Sequence, residues 1–451
     1  MSYKKDTKGK WLWRIFTAML LVIIAIFVVR VKTGNVITEA SDGQVIKLAD
    51  QYTMGRVYDR CGREIVRGSE SGLVWDGGEE TENAFSALIS ADISATTNSK
   101  MTIAGMSPWL FGLDDNRFEL DDFLTPWKQR VGGDIRLTID KPLQLFIQDC
   151  VQNSPYEDVV VIVSDWKTGQ VYAAVGGVFS EMFHVGSTMK PILAAVACEI
   201  NPDLKNFTYD CMEKNHVFHT EEGPYRIECY ANSYHGRVDM ETAIAKSCNG
   251  YFVALMQQVP KEEMKKALAT WGFDTSVAYE QFVYWDHDFL NGSEKESDYL
   301  LAGIGQGNTK MTVLGLNMCT SALLNQGILQ ETTFIQAKAA ETDGLWENLT
   351  IHNQYPFCEP ETAEMVKNMM LQVTARGTGR TFYLPGFAAK TGTATNPDGT
   401  NTILTTGGLV DAETPYCVTV CIDGVGEDVS SSVAGKMAKE ILKYMTGGTK
   451  S

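Results

Sequence analysis

Residues 186–198 read Gly-Ser-Thr-Met-Lys-Pro-Ile-Leu-Ala-Ala-Val-Ala-Cys, and the fold assignment starts from this stretch. The apolar run from Ile192 to Cys198 predicts a helix, and Pro191 is tolerated only within the first turn of one. Ser187 therefore opens the helix, and Lys190 lies one turn further along on the same face. A hydroxyl beside an amine in this arrangement is typical of an activated serine nucleophile.

Two further motifs follow in the chain, Ser247-Cys-Asn249 and Lys390-Thr-Gly-Thr393. Ser247 can relay a proton between Lys190 and a leaving amine, because a hydroxyl both donates and accepts hydrogen bonds. Asn249 offers amide groups that match the peptide bond of a substrate. Lys190 must be neutral to act as the base, and we expect burial and a second cation to lower its pKa.

The motif that begins at Lys390 has a different expected role. Lys390, Thr391 and Thr393 present an ammonium group and two hydroxyls from one strand, a set suited to binding a terminal carboxylate. Structural interpretations remain open for each motif taken singly, since Ser187 can cap a helix, Ser247 can precede one and Lys390 can be solvated. The occurrence of all three in one order favours a catalytic site.

A second copy of the first motif occurs in Ser164-Asp-Trp-Lys-Thr-Gly169. It lies between two apolar runs, Val159 to Val163 and Val171 to Val175, which predict the strands of a β-hairpin. The tip of a hairpin does not stack positions i and i+3 on one face. We therefore interpret this copy as structural.

Length and charge limit the classes of function. The chain has 451 residues, enough for one large domain and a smaller region. Its net charge of −17 leaves no basic stripe to neutralise phosphates, so nucleic acid is not an expected partner.

The N-terminus carries a candidate membrane anchor. Trp11 to Val29 is mostly apolar and spans about 28 Å as a helix, close to the thickness of the hydrocarbon core of a bilayer. Four lysines precede it, which places the N-terminus in the cytoplasm and the rest of the chain outside. A cleaved signal peptide is the alternative, but the nearest small-residue site, Thr38-Glu-Ala40, lies far beyond the apolar run.

Ten cysteines pose a question of redox state. Cys417 and Cys421 lie about 13 Å apart in an extended strand and cannot bridge each other. Cys211 and Cys229 flank a loop and can, and the sequence leaves both outcomes open. His216-Val-Phe-His219 lies near Cys211, yet the spacings do not form an ordered ligand set, so no metal or other cofactor is expected.

The chain changes character near Gly132. Asp134 to Asp140 alternates as a strand, and Leu143 to Val151 reads as an amphipathic helix. Between Asn201 and Arg380 helical patterns dominate, with a loop around Lys205 to Tyr234. Strands return towards the end and a helix closes the chain, at Phe387–Ala394, Thr402–Val410, Tyr416–Asp423 and Ser432–Met445. Strands at both ends of the domain predict one mixed α/β sheet closed by distant segments.

On these motifs the chain resembles the class B penicillin-binding proteins, which are membrane-anchored D,D-transpeptidases. The resemblance extends to shorter motifs along the chain: Tyr58-Asp-Arg60, Gly62-Arg-Glu64, Leu137-Thr-Ile-Asp140 with Gln144, His235-Gly236, Gly305-Gln-Gly307 and Gly377-Thr378. Some positions depart from the family pattern, with Val185 and Val313 where proline is usual. None of these departures removes the nucleophile, an acid or a base.

The resemblance implies a serine β-lactamase/transpeptidase-like α/β fold: a mostly antiparallel sheet flanked by helices, with an inserted helical subdomain. It also implies four segments. They are a cytoplasmic tail (1–10), a transmembrane anchor (11–31), a short N-terminal extracytoplasmic region (32–130) and a penicillin-binding transpeptidase domain (131–446).

The resemblance further implies the roles of the site. Ser187 attacks the carbonyl of D-Ala-D-Ala, with Lys190, Ser247 and Lys390 as the other catalytic residues. Asn249, Thr391, Gly392 and Thr393 bind substrate, and the backbone N–H groups of Ser187 and Thr393 form the oxyanion hole. The implied ligands are peptidoglycan stem peptides and β-lactams, and the implied partner is a SEDS-type glycan polymerase in the membrane.

Two alternatives stay open. A D,D-carboxypeptidase or β-lactamase would pass the acyl group to water, although no Glu-x-x-Leu-Asn follows to activate one. A non-catalytic scaffold or β-lactam sensor would bind without turnover. Labelling by penicillin and the lifetime of the label separate these functions from a transpeptidase.

Overall fold

The computed structural model describes residues 53–89, 105–112, 131–178, 181–229, 234–270, 295–307, 309–340, 344–349 and 354–447. Five helical residues near the N-terminus, at 16, 17, 19, 20 and 22, are described as well. The predicted anchor at 11–31 falls almost entirely outside the described residues. Within the part of the chain that the structure describes, no helix has both the length and the apolar character needed to cross a membrane.

The strands in chain order are β1 (Arg56–Tyr58), β2 (Glu64–Ser69), β3 (Gly72–Trp75), β4 (Asp134–Leu137), β5 (Val159–Asp165), β6 (Val171–Val175), β7 (Met182–His184), β8 (Tyr209–Cys211), β9 (Asn215–Thr220), β10 (Gly223–Glu228), β11 (Gly236–Val238), β12 (Lys310–Thr312), β13 (Ile328–Gln330), β14 (Ile335–Ala339), β15 (Trp346–Asn348), β16 (Gln354–Pro356), β17 (Phe387–Thr395), β18 (Asn401–Leu409) and β19 (Tyr416–Val425). The helices are α1 (Glu79–Ile89), α2 (Ser107–Leu110), α3 (Lys141–Gln152), α4 (Lys190–Ile200), α5 (Met240–Lys246), α6 (Asn249–Gln257), α7 (Lys261–Thr270), α8 (Glu296–Ala302), α9 (Val313–Leu324), α10 (Pro360–Arg376) and α11 (Ser432–Met445).

A five-stranded antiparallel sheet forms the centre, in the order β17-β18-β19-β5-β6. Every residue of β5 is buried, because helices cover both faces of the sheet. Apolar side chains of α3 and α11 pack on one face, and those of α4, α9 and α10 lie in the larger core on the other. The pairing of β19 with β5 joins segments more than 200 residues apart, so distant segments close this sheet as predicted. The prediction of one sheet for the whole domain was wrong, because β4 pairs in a second sheet.

A second sheet of six strands has the order β15-β14-β4-β1-β2-β3. Its strand β1 pairs in parallel with β4, with Val57 opposite Ile135. The boundary predicted between residues 130 and 131 therefore runs through a sheet, because the extended strands on its two sides satisfy each other's backbone hydrogen bonds. This N-terminal segment is part of the same packed body as α3.

Between α4 and β17 the chain forms helices α5 to α10 together with several small strand pairs. The segment from Lys205 to Tyr234, predicted as a loop, contains the antiparallel hairpin of β9 and β10. In β9 the side chains alternate between exposed and buried, and His216 and Phe218 point inward. Because one of the two inward side chains is a histidine, the apolar and polar residues of β9 do not alternate in the sequence. Hydrophobicity alone therefore does not predict this strand.

Candidate active site

The serine of the first motif lies in a tight turn that leads into α4. Gly186–Met189 forms a single 3-10 turn, and α4 begins at Lys190. Gly186 has φ +51°, and a Cβ there would lie 2.6 Å from the carbonyl oxygen of Thr393. Its amide donates to the carbonyl of Gly305 at 2.8 Å. The turn that carries Ser187 is therefore held between β17 and the Gly305 loop. The position before Ser187 accepts only glycine, because any Cβ there would clash.

Lys190 lies at the first position of α4 and its side chain is fully buried. Its Nζ donates to the Ser247 carbonyl at 3.0 Å, the Ser247 hydroxyl at 3.2 Å and Asn249 Oδ1 at 2.6 Å. Burial lowers the pKa of Lys190 to about 8, because removal from water penalises the charged form. Near neutral pH a usable fraction of this amine is therefore neutral.

Ser247 occupies the connection between α5 and α6 in a left-handed conformation, with φ 56°. This region is costly for a residue with a Cβ, so the surrounding contacts hold it there. Cys248 follows as the N-cap of α6, and its Sγ accepts a hydrogen bond from the Tyr251 amide at 3.5 Å. The turn places the Ser247 hydroxyl between the two lysines of the site.

Lys390 enters from β17, the edge strand of the central sheet, and is also fully buried. Its Nζ donates to the Ser247 hydroxyl at 3.0 Å and to the Thr391 carbonyl at 2.8 Å. Burial, and after it the charge of Lys190, hold the pKa of Lys390 well below its ordinary value. Ser247 therefore bridges two amines that both release a proton more readily than an exposed lysine does.

The rest of the motif on β17 lies along the turn Gly186–Met189, which contains Ser187. A Cβ on Gly392 would lie 2.8 Å from the Val185 carbonyl, so the two backbones are in close contact. The Thr391 hydroxyl forms a hydrogen bond with the Thr378 hydroxyl at 2.7 Å. The Thr378 amide in turn donates to the carbonyl of Ala245 at 3.1 Å, which links β17 to the end of α5.

The structure brings the sequence-predicted residues together. Hydrogen bonds connect Lys190, Ser247, Asn249 and Lys390, and the close approach of Gly186 to Thr393 brings the serine turn beside β17.

The second copy of the motif lies elsewhere: Ser164 is buried in β5 and donates to Asn317 Oδ1 at 2.6 Å. The carbonyl of Glu228, which accepts from Asn249 Nδ2 at 2.7 Å, gave no signal in the sequence because any residue can supply it.

A cluster of thiols and an imidazole lies directly behind the Ser247 turn. The ligand atoms of Cys211, Cys229, His235 and Cys248 all lie within 4.8 Å of one another. The thiols of Cys211 and Cys229 are 3.9 Å apart and unbonded, so the disulfide that the sequence left open is not formed here. The spacing of Cys211, His216 and His219 argued against a metal, whereas the fold brings Cys211 together with three other possible ligands.

Comparison with known proteins agrees with this arrangement. Residues 159–443 match a family model described as the penicillin binding protein transpeptidase domain. Stage V sporulation protein D of Bacillus subtilis (strain 168) is 24% identical over 377 residues, covering 72% of this chain and 55% of that protein. A peptidoglycan D,D-transpeptidase FtsI homolog of Mesostigma viride is 25% identical over 314 residues, covering 58% of this chain and 51% of that protein. The chain spans about half of the length of these two relatives.

The fold is shared with solved structures as well. The crystal structure of PBPA from Mycobacterium tuberculosis superposes with a TM-score of 0.73 at 17% sequence identity, covering 87% of this chain and 99% of that one. The six-stranded sheet and the central sheet thus belong to one known architecture.

Proposed function

This chain belongs to the family of penicillin-binding protein transpeptidase domains, and from that premise we propose that it is a peptidoglycan D,D-transpeptidase with Ser187 as its nucleophile. The observation that carries the proposal is the Ser247 hydroxyl, which bridges Lys190 Nζ at 3.2 Å and Lys390 Nζ at 3.0 Å. A hydroxyl between two buried amines of lowered pKa provides a path for a proton.

In the acylation step, Ser187 Oγ attacks the carbonyl carbon of the penultimate D-Ala. Its proton passes to neutral Lys190, whose burial makes the neutral form accessible. The oxygen of the tetrahedral intermediate accepts hydrogen bonds from the backbone N–H groups of Ser187 and Thr393. When the C–N bond breaks, the proton returns from Lys190 through Ser247 to the leaving amine, and D-Ala departs.

The strand β17 and Asn249 orient the substrate. Lys390, Thr391 and Thr393 bind the terminal carboxylate, and Gly392 allows the backbone to approach the serine turn. The Asn249 amide is fixed by Glu228 and Lys190, so its direction towards the peptide bond is set before substrate arrives. In the second half-reaction an amine of a neighbouring stem peptide attacks the carbonyl carbon of the acyl-serine. The C–O bond to Ser187 breaks, the proton of the amine passes through Ser247 and Lys190 to Ser187 Oγ, and the cross-link forms with the free serine restored.

The setting of the reaction is part of the proposal. Residues 11–31 anchor the chain in the cell membrane with residues 1–10 in the cytoplasm, so that the catalytic residues lie outside with the wall precursors. A SEDS-type glycan polymerase in the membrane is the proposed partner and supplies the glycan strands, as the resemblance to class B penicillin-binding proteins implies. Stem peptides are the substrates, and β-lactams acylate the same serine as mimics.

A fluorescent penicillin tests the proposal on the full chain in detergent. We expect one labelled peptide containing Ser187, and we expect Ser187→Ala to abolish the label with unchanged circular dichroism. Ser164→Ala is the matched control, since it removes the serine of the second copy of the motif and should leave the labelling intact. Label on Ser164, or none in a folded protein, would overturn the proposal, and the latter result would favour the non-catalytic scaffold.

The lifetime of the label tests the hydrolytic alternative. With no carboxylate assigned to activate water, the penicilloyl enzyme should persist for many minutes when followed by mass spectrometry. Rapid release of penicilloate with recovery of free Ser187 would identify a hydrolase.

A further inference from the structure

We propose that Cys211, Cys229, His235 and Cys248 form a structural zinc site that positions the Ser247 turn. The four residues come from four segments: the end of β8, the residue after β10, the residue before β11 and the N-cap of α6. All three cysteines are at most 2% exposed, and His235 is half-buried. The site lies immediately behind the catalytic serine motif, which contains Cys248.

The distances match tetrahedral coordination. Zinc bonds of about 2.3 Å to sulfur and about 2.05 Å to nitrogen place two sulfurs about 3.8 Å apart and a sulfur and a nitrogen about 3.6 Å apart. Cys211 and Cys229 Sγ are 3.9 Å apart, and Cys229 and Cys248 Sγ are 3.8 Å apart. His235 Nδ1 is 3.4 Å from Cys211 Sγ. These three distances match the tetrahedral values and all ligand atoms lie within 4.8 Å of one another, so small movements of the side chains let an ion bind all four.

The surroundings suit thiolates. The His235 amide donates to Cys211 Sγ at 3.3 Å, and the Tyr251 amide donates to Cys248 Sγ at 3.5 Å. His216 Nε2 lies 3.5 Å from both Cys211 and Cys229 Sγ, while its Nδ1 is 2.9 Å from the Tyr209 hydroxyl. If Tyr209 donates to Nδ1, the proton on Nε2 faces the two sulfurs, an outer-shell arrangement that stabilises metal-bound thiolates.

The ligand set points to zinc in a structural role. Three thiolates and one imidazole in a tetrahedron favour zinc over the harder divalent cations, which prefer oxygen ligands. Four protein ligands close the coordination sphere, so no position is left for water or substrate. Binding displaces the protons of the three thiols to solvent and leaves each sulfur as a thiolate.

Two of the zinc ligands are direct neighbours in sequence of residues that build the active site. Cys248 stands between Ser247 and Asn249, and Cys229 follows Glu228, whose carbonyl holds the Asn249 amide. An ion that binds Cys229 and Cys248 fixes both ends of that hydrogen bond. It also holds the left-handed conformation of Ser247 that places its hydroxyl between the two lysines. The cluster residues are positioning residues and do not touch substrate.

Metal content tests the site independently of catalysis. The full chain, purified in detergent under reducing conditions, should contain about one equivalent of zinc. After exchange for cobalt, we expect sulfur-to-cobalt charge-transfer bands and the intense visible bands of a tetrahedral ion. Absence of metal, octahedral cobalt bands, or a Cys211–Cys229 disulfide found by non-reducing peptide mapping would overturn the proposal.

Substitutions locate the ion. Cys229→Ala and His235→Ala should lose zinc or weaken its binding by at least about tenfold, whereas Cys198→Ala, a buried cysteine outside the cluster, should retain it. Because His235 is only half-buried, His235→Ala keeps the test valid if Cys229→Ala does not fold. Retention of the full metal content by His235→Ala, or an equal loss in Cys198→Ala, would show that the ion binds elsewhere.

The positioning role rests on the proposed function and has its own readout. Removal of zinc from the folded protein by chelation should slow acylation of Ser187 by penicillin at least about tenfold, and zinc should restore the rate. Unchanged acylation in the metal-free protein would refute the positioning role. If the zinc-loaded protein does not react with penicillin at all, the proposed function fails while the metal content still decides the site.

Discussion

Among the single residues of the site, Ser247 has the central place in the proposed proton path. Its oxygen accepts hydrogen bonds from two lysine side chains that are both fully buried. Two buried ammonium groups at this separation are unfavourable, because desolvation and mutual repulsion both penalise the charged forms. Burial therefore favours the neutral form of both amines, as the proposed role of Lys190 as a base requires.

The first prediction concerns pH. Since the pKa of Lys190 is lowered to about 8, the rate of acylation by penicillin should rise with pH, reach half its maximum near pH 8 and then level off. Below that midpoint Lys190 is protonated and cannot accept the serine proton, so each pH unit should reduce the rate about tenfold. The measurement is stopped-flow fluorescence with a labelled penicillin; a rate that falls as pH rises towards 8 would contradict the assignment of Lys190 as base.

Lys190→Arg removes the titration and provides a second check. Arginine stays protonated, so the variant should not be acylated at any pH in the series. Lys167→Arg is the matched control, because Lys167 ends the second copy of the motif and is an exposed residue in a turn. Equal loss in both variants would point to a general effect of arginine and not to a base.

The second prediction concerns the substitution of Gly186 by alanine. In Gly186→Ala the new Cβ would lie 2.6 Å from the Thr393 carbonyl oxygen in a left-handed conformation, so the serine turn must shift. We expect loss of labelling and a decrease in the free energy of unfolding of about 2 kcal/mol or more. Gly78→Ala separates the two causes, since Gly78 has φ +65° with nothing within 4 Å of the added Cβ. It should cost about 1 kcal/mol and leave labelling unchanged, and an equal effect of the two changes would exclude the close contact as the cause.

Among the elements, the α5–α6 connection combines strain with function. Ser247 ends α5 in the left-handed region and precedes the N-cap of α6, so its hydroxyl lies at the junction of two helices. A strained residue at an active site persists because neighbouring contacts over-determine it. Here those contacts include the hydrogen bonds to both lysines and the thiol cluster behind the turn.

The third prediction compares Ser247→Gly with Ser247→Ala. Both variants remove the hydroxyl and should lose most of the acylation rate. Glycine relieves the left-handed strain, whereas alanine keeps it, so Ser247→Gly should be more stable than Ser247→Ala by about 1 kcal/mol. Urea denaturation measures the difference, and a less stable glycine variant would show that the backbone of Ser247 is not strained.

For the whole molecule, the N-terminal segment is built into the body that carries the site. Lys141, at the start of α3, donates from Nζ to the Glu64 carbonyl at 2.8 Å and the Asp76 carbonyl at 2.6 Å. It also forms an ion pair with the Asp76 carboxylate at 2.7 Å. A single lysine thus ties β2 and the turn after β3 to the helix that packs on β6 of the central sheet.

The fourth prediction follows from that link. Lys141→Met leaves two carbonyls without this donor and should lower the free energy of unfolding by about 2 kcal/mol. The rate of acylation by penicillin should change less than the stability does. Lys443→Met is the control, since the Lys443 side chain forms a surface ion pair with Glu440 at 3.5 Å and its loss should change stability by less than about 0.5 kcal/mol. Equal effects of the two substitutions would mean that the N-terminal segment is held by its sheet pairing alone.

The strands of the central sheet, the helix that follows Ser187 and the residues of the three motifs could all be predicted from the sequence. These features rest on local patterns: apolar periodicity, a proline within the first turn, and residue types whose chemistry is readable one at a time. For the same reason it identified the Ser164 copy as structural, because a hairpin tip cannot stack a serine and a lysine. The sheet closure was also predictable, since strands at both ends of one domain must find partners.

Where those residues meet, and which other residues lie with them, depends on contacts between distant segments of the chain. β1 pairs in parallel with β4 across the predicted boundary at residue 130, and the β9–β10 hairpin occupies a segment predicted as a loop. The thiol and imidazole cluster brings together four segments with irregular spacing, and the site around Ser247 depends on a left-handed residue between two helices. Such features come from long-range packing, because distances between segments far apart in sequence are set by how the whole chain fills its core and satisfies its buried polar groups.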